Sequence, residues 1–302
     1  MNQWQKKAEN ILEGIEKWFD LPMSEITTFK IGGPLDLLVE PGSIEELHRV
    51  LSFCAEEKIP WMVVGLGSNL LVRDKGIRGV GIKLAGKFTH WEVLENEIIA
   101  GAGLALSDLA KKTACLGLSG LEFACGIPGT VGGAVFMNAG AYGGEMAQVI
   151  LQVKAFSLPK GSVVYDQKEL KLSYRFSRFQ EETEVITEVR LVLHPAENEN
   201  ISARISDLTC QRETKQPLAM PSAGSVFRRP TGYYVGPLIE ESGLKGFSIG
   251  GAQVSPKHAG FIVNTGKATA QDVLDLIAHI KKVIKEKKGV ELIPEIRVIG
   301  ED

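Results

Sequence analysis

The sequence has few cysteines and histidines, and neither residue type is spaced for metal binding or for a disulfide framework. Its four cysteines (Cys54, Cys115, Cys125 and Cys210) form no C-x-x-C pair, and its five histidines are dispersed. A protein metal site needs clustered ligands, so we predict no metal. Three of the cysteines stand among apolar residues, which predicts small buried thiols in a reduced cytoplasm.

A strong excess of charge of one sign is also missing. The 302 residues include 34 Lys and Arg against 37 Asp and Glu, which gives a formal net charge of −3. No basic stripe is interleaved with aromatic residues, and this argues against nucleic acid as a partner. The one basic run, 281–288, ends a helical pattern, where cations complement the helix dipole, so we interpret it as a solvated face.

Long hydrophobic runs are absent as well. No segment approaches the roughly 18 apolar residues that a membrane-spanning helix needs, so we expect a soluble protein with no membrane partner. Residues 1–19 place apolar side chains on one helical face and alternate charges along the other. Because this segment lacks an uninterrupted apolar core, we predict a surface helix rather than a signal peptide.

The sequence does contain two glycine-rich turns, each behind an apolar run. The first is 65-GLGSNLLV-72, after 61-WMVV-64, and the second is 124-ACGIPGTVGGAVFMNAGAYGG-144. Glycine permits positive φ and close approach of a ligand, and successive N–H groups in such turns form concavities that attract phosphate. One such loop alone is typical of an ordinary tight turn. Two together favour a dinucleotide with a pyrophosphate bridge.

Neither turn fits the nicotinamide-binding βαβ unit, which needs G-x-G-x-x-G at the start of a helix. Gly65 and Gly67 match, but Leu70 occupies the third glycine position, and residues 71–84 have the pattern of a turn and a strand. The segment 101-GAGLAL-106 fails the same test. We therefore expect the nucleotide to bind outside a Rossmann fold, and any nicotinamide cofactor to bind transiently or at a site without a recognisable motif.

The chain length suits two domains, and the apolar periodicity changes repeatedly between that of strand and helix. Ser43 and Glu46 form a predicted capping box. Before residue 194 we predict strands at 35–41, 61–65, 149–158, 161–166 and 184–193, and helices that begin at Ser43 and at Ser107. The polar stretch 194–200 is the predicted boundary. Beyond it we predict helices at 201–212, 236–243 and 270–287, and strands at 247–255, 260–264 and 291–300.

Three polar residues stand where the local pattern is apolar or tightly turned. Arg175, in a strand-like region, could hold a carboxylate through two hydrogen bonds or could serve in an ordinary ion pair. Ser225 follows a glycine, but 222-SAGSVF-227 is not a nucleophile elbow, and a lone serine is usually structural. Glu295, in a predicted strand, either faces solvent or has a pKa raised by burial. His258 is predicted to be a packed or hydrogen-bonded residue rather than a base.

Taken in order, several segments resemble the UDP-N-acetylenolpyruvoylglucosamine reductases (MurB), the flavoenzymes of peptidoglycan precursor synthesis. The matching segments are GLGSNLL at 65–71, GIPGTVGGA at 126–134, NAGAYG at 138–143, SYR at 173–175, TKQP at 214–217, AGSVF at 223–227, KHAGFIVN at 257–264 and PEIRVIG at 294–300. The resemblance extends from about residue 27 to residue 302. Each motif is weak alone, but the set in register is highly specific.

The resemblance implies an α+β protein of three parts. These are an N-terminal amphipathic helix (1–20), a two-subdomain FAD-binding domain of the vanillyl-alcohol-oxidase, or PCMH, type (21–198), and a smaller α+β domain for the UDP-sugar (199–302). FAD is expected without a covalent link, and NADPH is expected as co-substrate in turn with the enolpyruvyl substrate. Few residues separate Arg175 from the strand at 184–193, so the chain is similar to the shorter, second type, which has no tyrosine lid.

The reaction implied by the resemblance reduces UDP-N-acetylglucosamine enolpyruvate to UDP-N-acetylmuramate. Hydride passes from flavin N5 to C3 of the enolpyruvyl ether, and a proton reaches C2. Ser225 then resembles the general acid, a role typically worth about 10²–10⁴ in rate. Arg175 and Glu295 resemble the electrostatic clamp on the developing enolate, at about 3 kcal/mol per donor. Glu295 would need to be protonated, or bridged to Arg175, to assist an anion.

The binding residues are likewise implied by the resemblance. Expected contacts to FAD are Gly65, Gly67, Ser68, Asn69, Leu70, Gly126, Ile127, Pro128, Gly129, Thr130, Gly132, Gly133, Ala134, Asn138 and Gly140. Expected contacts to the substrate are Lys215, Arg228, Arg229 and Lys257. The family often has lysine where this chain has Arg228, which keeps the charge and changes the geometry.

We therefore predict a cytoplasmic enzyme of cell-wall synthesis, serving cell shape and division, with monomer favoured. Two other functions stay open at this point. A flavin oxidase of the same superfamily would pass electrons to oxygen without needing a UDP-sugar. A nucleotide-binding protein without catalysis would bind a UDP-sugar in colourless, flavin-free form.

Overall fold

The computed structural model describes residues 3–302 and mixes helices with mainly antiparallel strands, which confirms the predicted α+β class. The α-helices are α1 (Gln3–Ile11), α2 (Met23–Ile26), α3 (Ile44–Glu56), α4 (Leu106–Cys115), α5 (Val131–Phe136), α6 (Asn198–Lys215), α7 (Val235–Glu241) and α8 (Ala270–Lys288). Within this described part of the chain, no helix has the length and apolar composition needed to cross a membrane.

The strands are short at the two glycine turns and longest in the middle of the chain. They are β1 (Glu16–Pro22), β2 (Pro34–Glu40), β3 (Trp61–Val63), β4 (Leu70–Val72), β5 (Ile77–Ile82), β6 (Trp91–Leu94), β7 (Glu97–Gly101), β8 (Leu118–Ser119), β9 (Gly140–Ala141), β10 (Gly144–Glu145), β11 (Ile150–Ser157), β12 (Gly161–Asp166), β13 (Val185–Val192), β14 (His194–Pro195), β15 (Ser248–Ile249), β16 (Ala252–Val254), β17 (Ile262–Asn264) and β18 (Arg297–Ile299).

The chain forms two compact units, each built from several stretches of sequence. Unit 1 comprises the described residues through Phe19 together with Leu37–Gly65 and Val80–Arg212. Unit 2 comprises Asp20–Asp36, Leu66–Gly79 and Glu213–Asp302. Each unit has its own hydrophobic core. The division of labour between cofactor binding at 21–198 and substrate binding at 199–302 stays a prediction.

The largest sheet of unit 1 has the strand order β12-β11-β13-β7-β6 and is antiparallel throughout. Its central strand, β13, pairs Val189 with Val153 of β11 on one side and with Ala100 of β7 on the other. Val189 and Leu191 are fully buried, while Glu188 and Arg190 are partly exposed, as expected when successive side chains point to opposite faces. The predicted strands within 149–193 are therefore confirmed.

Helix α3 begins as the sequence predicts. The Ser43 hydroxyl accepts a hydrogen bond from the Glu46 N–H (3.3 Å), and the Glu46 carboxylate accepts one from the Gly42 N–H (2.7 Å). Leu47 and Val50 lie on its buried face, with Leu51 and Cys54. Burying such a side chain stabilises the fold by about 1.5–3 kcal/mol, so this face fixes the helix on the sheet that carries the first glycine turn.

Unit 2 is organised around α8, whose buried residues include Val273, Ile277, Ile280 and Ile284. Strands β15, β16 and β17 form an antiparallel sheet, and α8 contacts its first two strands. A separate parallel pair joins β4 to β18, with Leu71 opposite Val298. The predicted α8 and the strand at 260–264 are confirmed, whereas the single strand predicted at 247–255 is wrong: the chain turns at Gly250, with a φ of +52°, and forms the antiparallel pair β15 and β16.

Two helices differ from prediction. Residues 16–19 of the N-terminal helix expected over 1–19 belong to strand β1, whose exposure alternates along the chain, after Gly14 takes the left-handed φ of +83°. Apolar side chains at 15, 18 and 19 fit both periodicities, and pairing with β2 decides between them. Residues 1–2 of that prediction lie outside the described residues. Helix α4 is preceded by Ala105, not Ser107, and has no side-chain cap.

The prediction of three buried cysteines is wrong. Cys54 and Cys125 are buried, whereas Cys115 and Cys210 are exposed. Cys115 belongs to the last turn of α4, beyond the buried part of that helix. Burial raises the pKa of the Cys54 thiol to about 12, and burial also raises the pKa of Cys125. Both buried thiols are therefore protonated and weak nucleophiles at neutral pH.

We predict that Asp74→Ala lowers the free energy of unfolding by about 1 kcal/mol, as the loss of a helix cap does. The Asp74 carboxylate accepts hydrogen bonds from the first-turn N–H groups of Ala270 (2.9 Å) and Gln271 (3.2 Å). Urea unfolding measures the change. Asp275→Ala is the control, because its carboxylate accepts only from a side chain, that of Gln271. Equal stability of Asp74→Ala and wild type would contradict the capping role.

Candidate functional site

The second glycine turn is held in unit 1 by its own backbone. The N–H groups of Val131 and Gly132 donate to the carbonyls of Leu104 and Ala102, each at 2.8 Å. The Thr130 hydroxyl accepts from the Gly133 N–H at 3.1 Å and so caps α5. The expectation that successive N–H groups of this turn face a phosphate is therefore wrong for Val131 through Gly133, because protein oxygens already occupy these donors.

The two glycine turns meet in unit 1. A Cβ added at Gly65 would lie only 2.9 Å from the Thr130 hydroxyl oxygen. Gly65 has no left-handed φ, so the close approach of Thr130 is what requires a glycine there. The expectation that both turns serve one site is consistent with this contact.

The first glycine turn does present a run of backbone donors. Among residues 3–302, the N–H groups of Leu66, Gly67 and Ser68 donate to no backbone or side-chain acceptor. Gly67 is buried and takes the left-handed φ of +62°, and a Cβ there would lie 2.9 Å from Thr27 Cα. A turn that is open to a ligand and has consecutive unused N–H groups is a good match for a phosphate group. The residues present therefore fit a diphosphate-bearing cofactor such as FAD.

Arg212, which the sequence analysis did not single out, lies against the second glycine turn. An added Cβ at Gly126 would be 2.7 Å from Arg212 Cδ. Burial lowers the pKa of the Arg212 guanidinium, while the nearby Tyr142 opposes that shift. Within residues 3–302 no carboxylate forms a salt bridge with it. A half-buried cation without an acidic partner suits an anionic ligand group. In the sequence, Arg212 is a single basic residue in a polar helix, and this pattern does not indicate a ligand-binding role.

Arg175 lies in a tight turn rather than in a strand, which corrects the sequence expectation. Its φ is +57°, and the turn is closed by hydrogen bonds between the backbones of Ser173 and Phe176 (3.0 and 3.2 Å). A left-handed φ costs an ordinary residue roughly 1–2 kcal/mol, so surrounding contacts must hold it. The guanidinium lies 5.3 Å from the ring centroid of Tyr174.

Two side-chain amides, one buried and one half-buried, hold the Arg175 turn in place. The Asn138 side chain, which is 1% exposed, donates to the Ser173 carbonyl (3.0 Å) and accepts from the Ala147 N–H (2.9 Å). The Gln180 side chain donates to the Arg175 carbonyl at 3.0 Å. Asn138 thus links the second glycine turn to Arg175, although the resemblance implied that it contacts the cofactor.

Ser225 and Glu295 come together in unit 2. The Glu295 N–H donates to the Val226 carbonyl at 2.7 Å, and the Arg228 N–H donates to the Ile293 carbonyl at 2.8 Å. Both Ser225 and Glu295 are half-buried. Glu295 does not belong to the predicted strand, because β18 begins only at Arg297. Pro294 has no N–H to donate, so regular pairing cannot extend back through it.

The first glycine turn is hydrogen-bonded to the segment that contains Glu295. The Asn69 side chain donates to the Glu295 carbonyl at 3.3 Å, and the Arg297 N–H donates to the Asn69 carbonyl at 2.9 Å. Unit 2 therefore brings together Asn69, Ser225 and Glu295, while Arg175 belongs to unit 1.

The four predicted substrate residues have different surroundings. Lys215 is exposed at the end of α6, and the Lys257 ammonium donates to the Glu213 carbonyl. The Arg229 guanidinium lies 3.8 Å from the ring centroid of Tyr234. Arg228 Nε is buried and, within the described chain, has no hydrogen-bond partner, which makes it the strongest of the four as a ligand contact.

A separate open cavity of about 250 Å³ in unit 1 contains none of these residues. It is lined by Glu45 of α3, by Lys87 and His90, which precede β6, and by Glu188 of β13, among others. The candidate site is therefore defined by the glycine turns and their neighbours, not by this cavity. In residues 3–302, no three His, Cys, Asp or Glu side chains are grouped to hold a metal ion.

Two family models match the chain. Residues 216–299 match the C-terminal domain of UDP-N-acetylenolpyruvoylglucosamine reductase, and residues 35–165 match an FAD binding domain. Both matched stretches contain residues placed above, among them Ser225 and Glu295 in the first and Thr130 in the second.

Similar proteins cover more than nine-tenths of the chain. A UDP-N-acetylenolpyruvoylglucosamine reductase from Syntrophomonas wolfei is 53% identical over 93% of this chain and 94% of its own. One from Caldanaerobacter subterraneus is 48% identical over 98% and 97%. The crystal structure of the Thermus caldophilus reductase (MurB) superposes with a TM-score of 0.82 at 37% identity, covering 94% of this chain and 98% of that one.

We predict that Gly65→Ala weakens FAD binding about tenfold or more. Its Cβ would displace Thr130, and overpacking of this kind costs roughly 1–3 kcal/mol, where 1.4 kcal/mol is a factor of ten in affinity. Flavin retained per protein after dialysis measures the effect. Gly42→Ala is the control, since its Cβ would make only ordinary contacts, the nearest at 3.5 Å. Full retention by Gly65→Ala would show that the contact between the turns does not shape the cofactor site.

Proposed function

Since the chain belongs to the UDP-N-acetylenolpyruvoylglucosamine reductase family, we propose that NADPH is its electron donor and that Ser225 is the proton donor to the enolpyruvyl substrate. The protein is an FAD-dependent oxidoreductase of peptidoglycan precursor synthesis. When bound, FAD supplies hydride transfer from its N5 to C3 of the enolpyruvyl ether.

The single observation that carries the proton-donor role is the pairing of the Ser225 and Glu295 segments. Backbone hydrogen bonds at 2.7 and 2.8 Å hold the two segments side by side, with Val226 opposite Glu295 and Ser225 one position away. The Ser225 hydroxyl donates only a long hydrogen bond, 3.4 Å, to the Phe227 carbonyl. That weak contact leaves the O–H proton available. A serine hydroxyl is a poor acid, but the carbanion at C2 is basic enough to take its proton.

Glu295 and Arg175 are proposed to stabilise the negative charge that develops on the substrate carboxylate and C2. The Arg175 guanidinium can hold a carboxylate through two parallel hydrogen bonds. Glu295 can assist an anion as the protonated acid, which donates a hydrogen bond, or when it is bridged to Arg175. Its backbone is fixed on two sides, by Val226 and by Asn69, so its side chain starts from a defined position.

The first glycine turn is proposed to hold the diphosphate of FAD. The N–H groups of Leu66, Gly67 and Ser68 would donate to phosphate oxygens. Within unit 1, Arg212 is proposed to pair with an anionic ligand group. Thr130 contributes by packing, since its hydroxyl already caps α5. The first turn, 65–72, offers no histidine or cysteine for a covalent flavin link.

Four cations are proposed to receive the diphosphate of the UDP-sugar: Lys215, Arg228, Arg229 and Lys257. Arg228 is the best supported, because its buried Nε has no protein partner within residues 3–302. NADPH is proposed to bind in turn with the UDP-sugar. The enzyme is proposed to be a monomer in the cytoplasm, where both nucleotides are supplied.

We predict that Ser225→Ala binds FAD and is reduced by NADPH at close to the wild-type rate but fails to convert the enolpyruvyl substrate. Removing a placed proton donor should cost about 10²–10⁴ in the rate of flavin reoxidation by that substrate. Rapid mixing with separate NADPH and substrate steps measures the two half-reactions.

Ser248→Ala is the control for this experiment, because Ser248 is an exposed residue of β15. Full turnover by Ser225→Ala would contradict the proposal that Ser225 is the proton donor. Rapid peroxide formation from a simple alcohol, without any UDP-sugar, would instead favour an oxidase.

A further inference from the structure

The imidazole of His258 is packed between two glycines of unit 2. A Cβ added at Gly260 would lie 2.9 Å from His258 Cε1, and one added at Gly236 would lie 3.2 Å from the same atom. Neither glycine has a left-handed φ, so the ring itself excludes side chains at these positions. Phe261 closes a further side, with its ring edge-on at a centroid distance of 5.1 Å.

The hydrogen bonds fix the protonation state of this ring. His258 Nδ1 lies 3.1 Å from the Gly260 N–H, which can only donate, so Nδ1 must be an unprotonated acceptor. The Ser255 hydroxyl oxygen accepts from the His258 N–H at 3.2 Å and from the Lys257 N–H at 3.1 Å. The His258 turn is therefore held at its backbone and at its ring.

The residue that His258 holds is bonded directly to the Ser225 segment. The Gly260 carbonyl accepts from the Val226 N–H at 3.0 Å, and the next residue, Phe261, pairs with Ser225. The Val226 carbonyl in turn accepts from the Glu295 N–H at 2.7 Å. One line of hydrogen bonds thus runs from the His258 ring through Gly260 and Val226 to Glu295.

We propose that His258 is a positioning residue whose neutral ring fixes Gly260 and, through it, the backbone that presents Ser225 and Glu295. This inference rests on the proposed function, because it assigns a task to His258 in the proton-transfer step. His258 touches neither reacting atom in this arrangement and acts only through the line of hydrogen bonds.

Protonation of the ring would break this arrangement. A protonated Nδ1 would place an N–H against the Gly260 N–H. Burial lowers the pKa of His258 below its ordinary 6.5 and Lys245 lowers it further, while a hydrogen bond to the backbone of His258 itself and the nearby Glu240 oppose the shift. The ring is therefore neutral at pH 7. As pH falls below 6.5 the unfolded chain takes up this proton first, so the stabilisation is lost progressively in acid.

Two substitutions separate positioning from simple packing. In His258→Asn, the side-chain carbonyl can replace Nδ1 as the acceptor and cannot titrate. In His258→Ala, the acceptor is lost. We expect His258→Ala to slow flavin reoxidation by the enolpyruvyl substrate by about 10- to 100-fold, since misplacement of about 1 Å can cost 100-fold. We expect His258→Asn to stay within about threefold of wild type and to lose part of the acid limb of the pH profile.

Amide hydrogen exchange tests the positioning role of His258 without substrate turnover. Amide hydrogen exchange of the segments around Gly260 and Val226 should be slow in wild type and His258→Asn, and faster in His258→Ala. Gly260→Ala should resemble His258→Ala, because its Cβ would push the ring away. Adding Gly260→Ala to His258→Ala should change the reoxidation and exchange rates less than Gly260→Ala does alone, because that clash is absent. His279→Asn, which removes a histidine stacked on Phe247 at 4.6 Å, controls for loss of an imidazole.

The outcomes distinguish this inference from the proposed function. If wild type bleaches with NADPH and is not reoxidised by the enolpyruvyl substrate, the proposed function fails. If wild type completes both steps and His258→Ala matches His258→Asn in reoxidation rate, pH profile and exchange, His258 has no positioning role. Slower reoxidation in His258→Ala alone, with unchanged reduction by NADPH, supports it.

Discussion

The candidate chemistry depends on one short stretch of backbone pairing in unit 2. The segments 225–228 and 293–295 exchange hydrogen bonds at 2.7 and 2.8 Å, and Phe227, 1% exposed, anchors the first of them in the core. This pairing brings the Ser225 and Glu295 segments, 70 residues apart in sequence, next to each other, with Val226 opposite Glu295. Asn69 extends it to the first glycine turn. Loss of this pairing would separate all three groups at once.

The glycines of the two turns serve different physical purposes. Gly67 is required by its left-handed φ and by the closeness of Thr27, and it lies in a run of unused N–H donors. Gly132 is required by packing, since a Cβ there would lie 2.8 Å from Ala102 Cβ. The second turn therefore mainly holds Thr130 and the Arg175 turn in place. The first turn is the better site for a phosphate group.

The sequence predicts elements whose signals are local. The Ser43 cap, the buried face of α8 and the strands at 149–193 follow from spacing alone. Features set by distant partners are missed. Strand β1 follows from pairing with β2, the irregular backbone at Glu295 from Pro294, and the left-handed turn at Arg175 from the Asn138 and Gln180 amides. The approach of Arg212 to Gly126 requires the folded chain, so the sequence could not indicate it.

The most direct test is the visible spectrum of the purified protein under anaerobic conditions, first with NADPH and then with UDP-N-acetylglucosamine enolpyruvate. We expect the flavin band to bleach with NADPH and to return when the enolpyruvyl substrate is added. Bleaching without return would contradict the assignment of the substrate. A colourless protein that takes up no FAD would contradict the cofactor site at the first glycine turn.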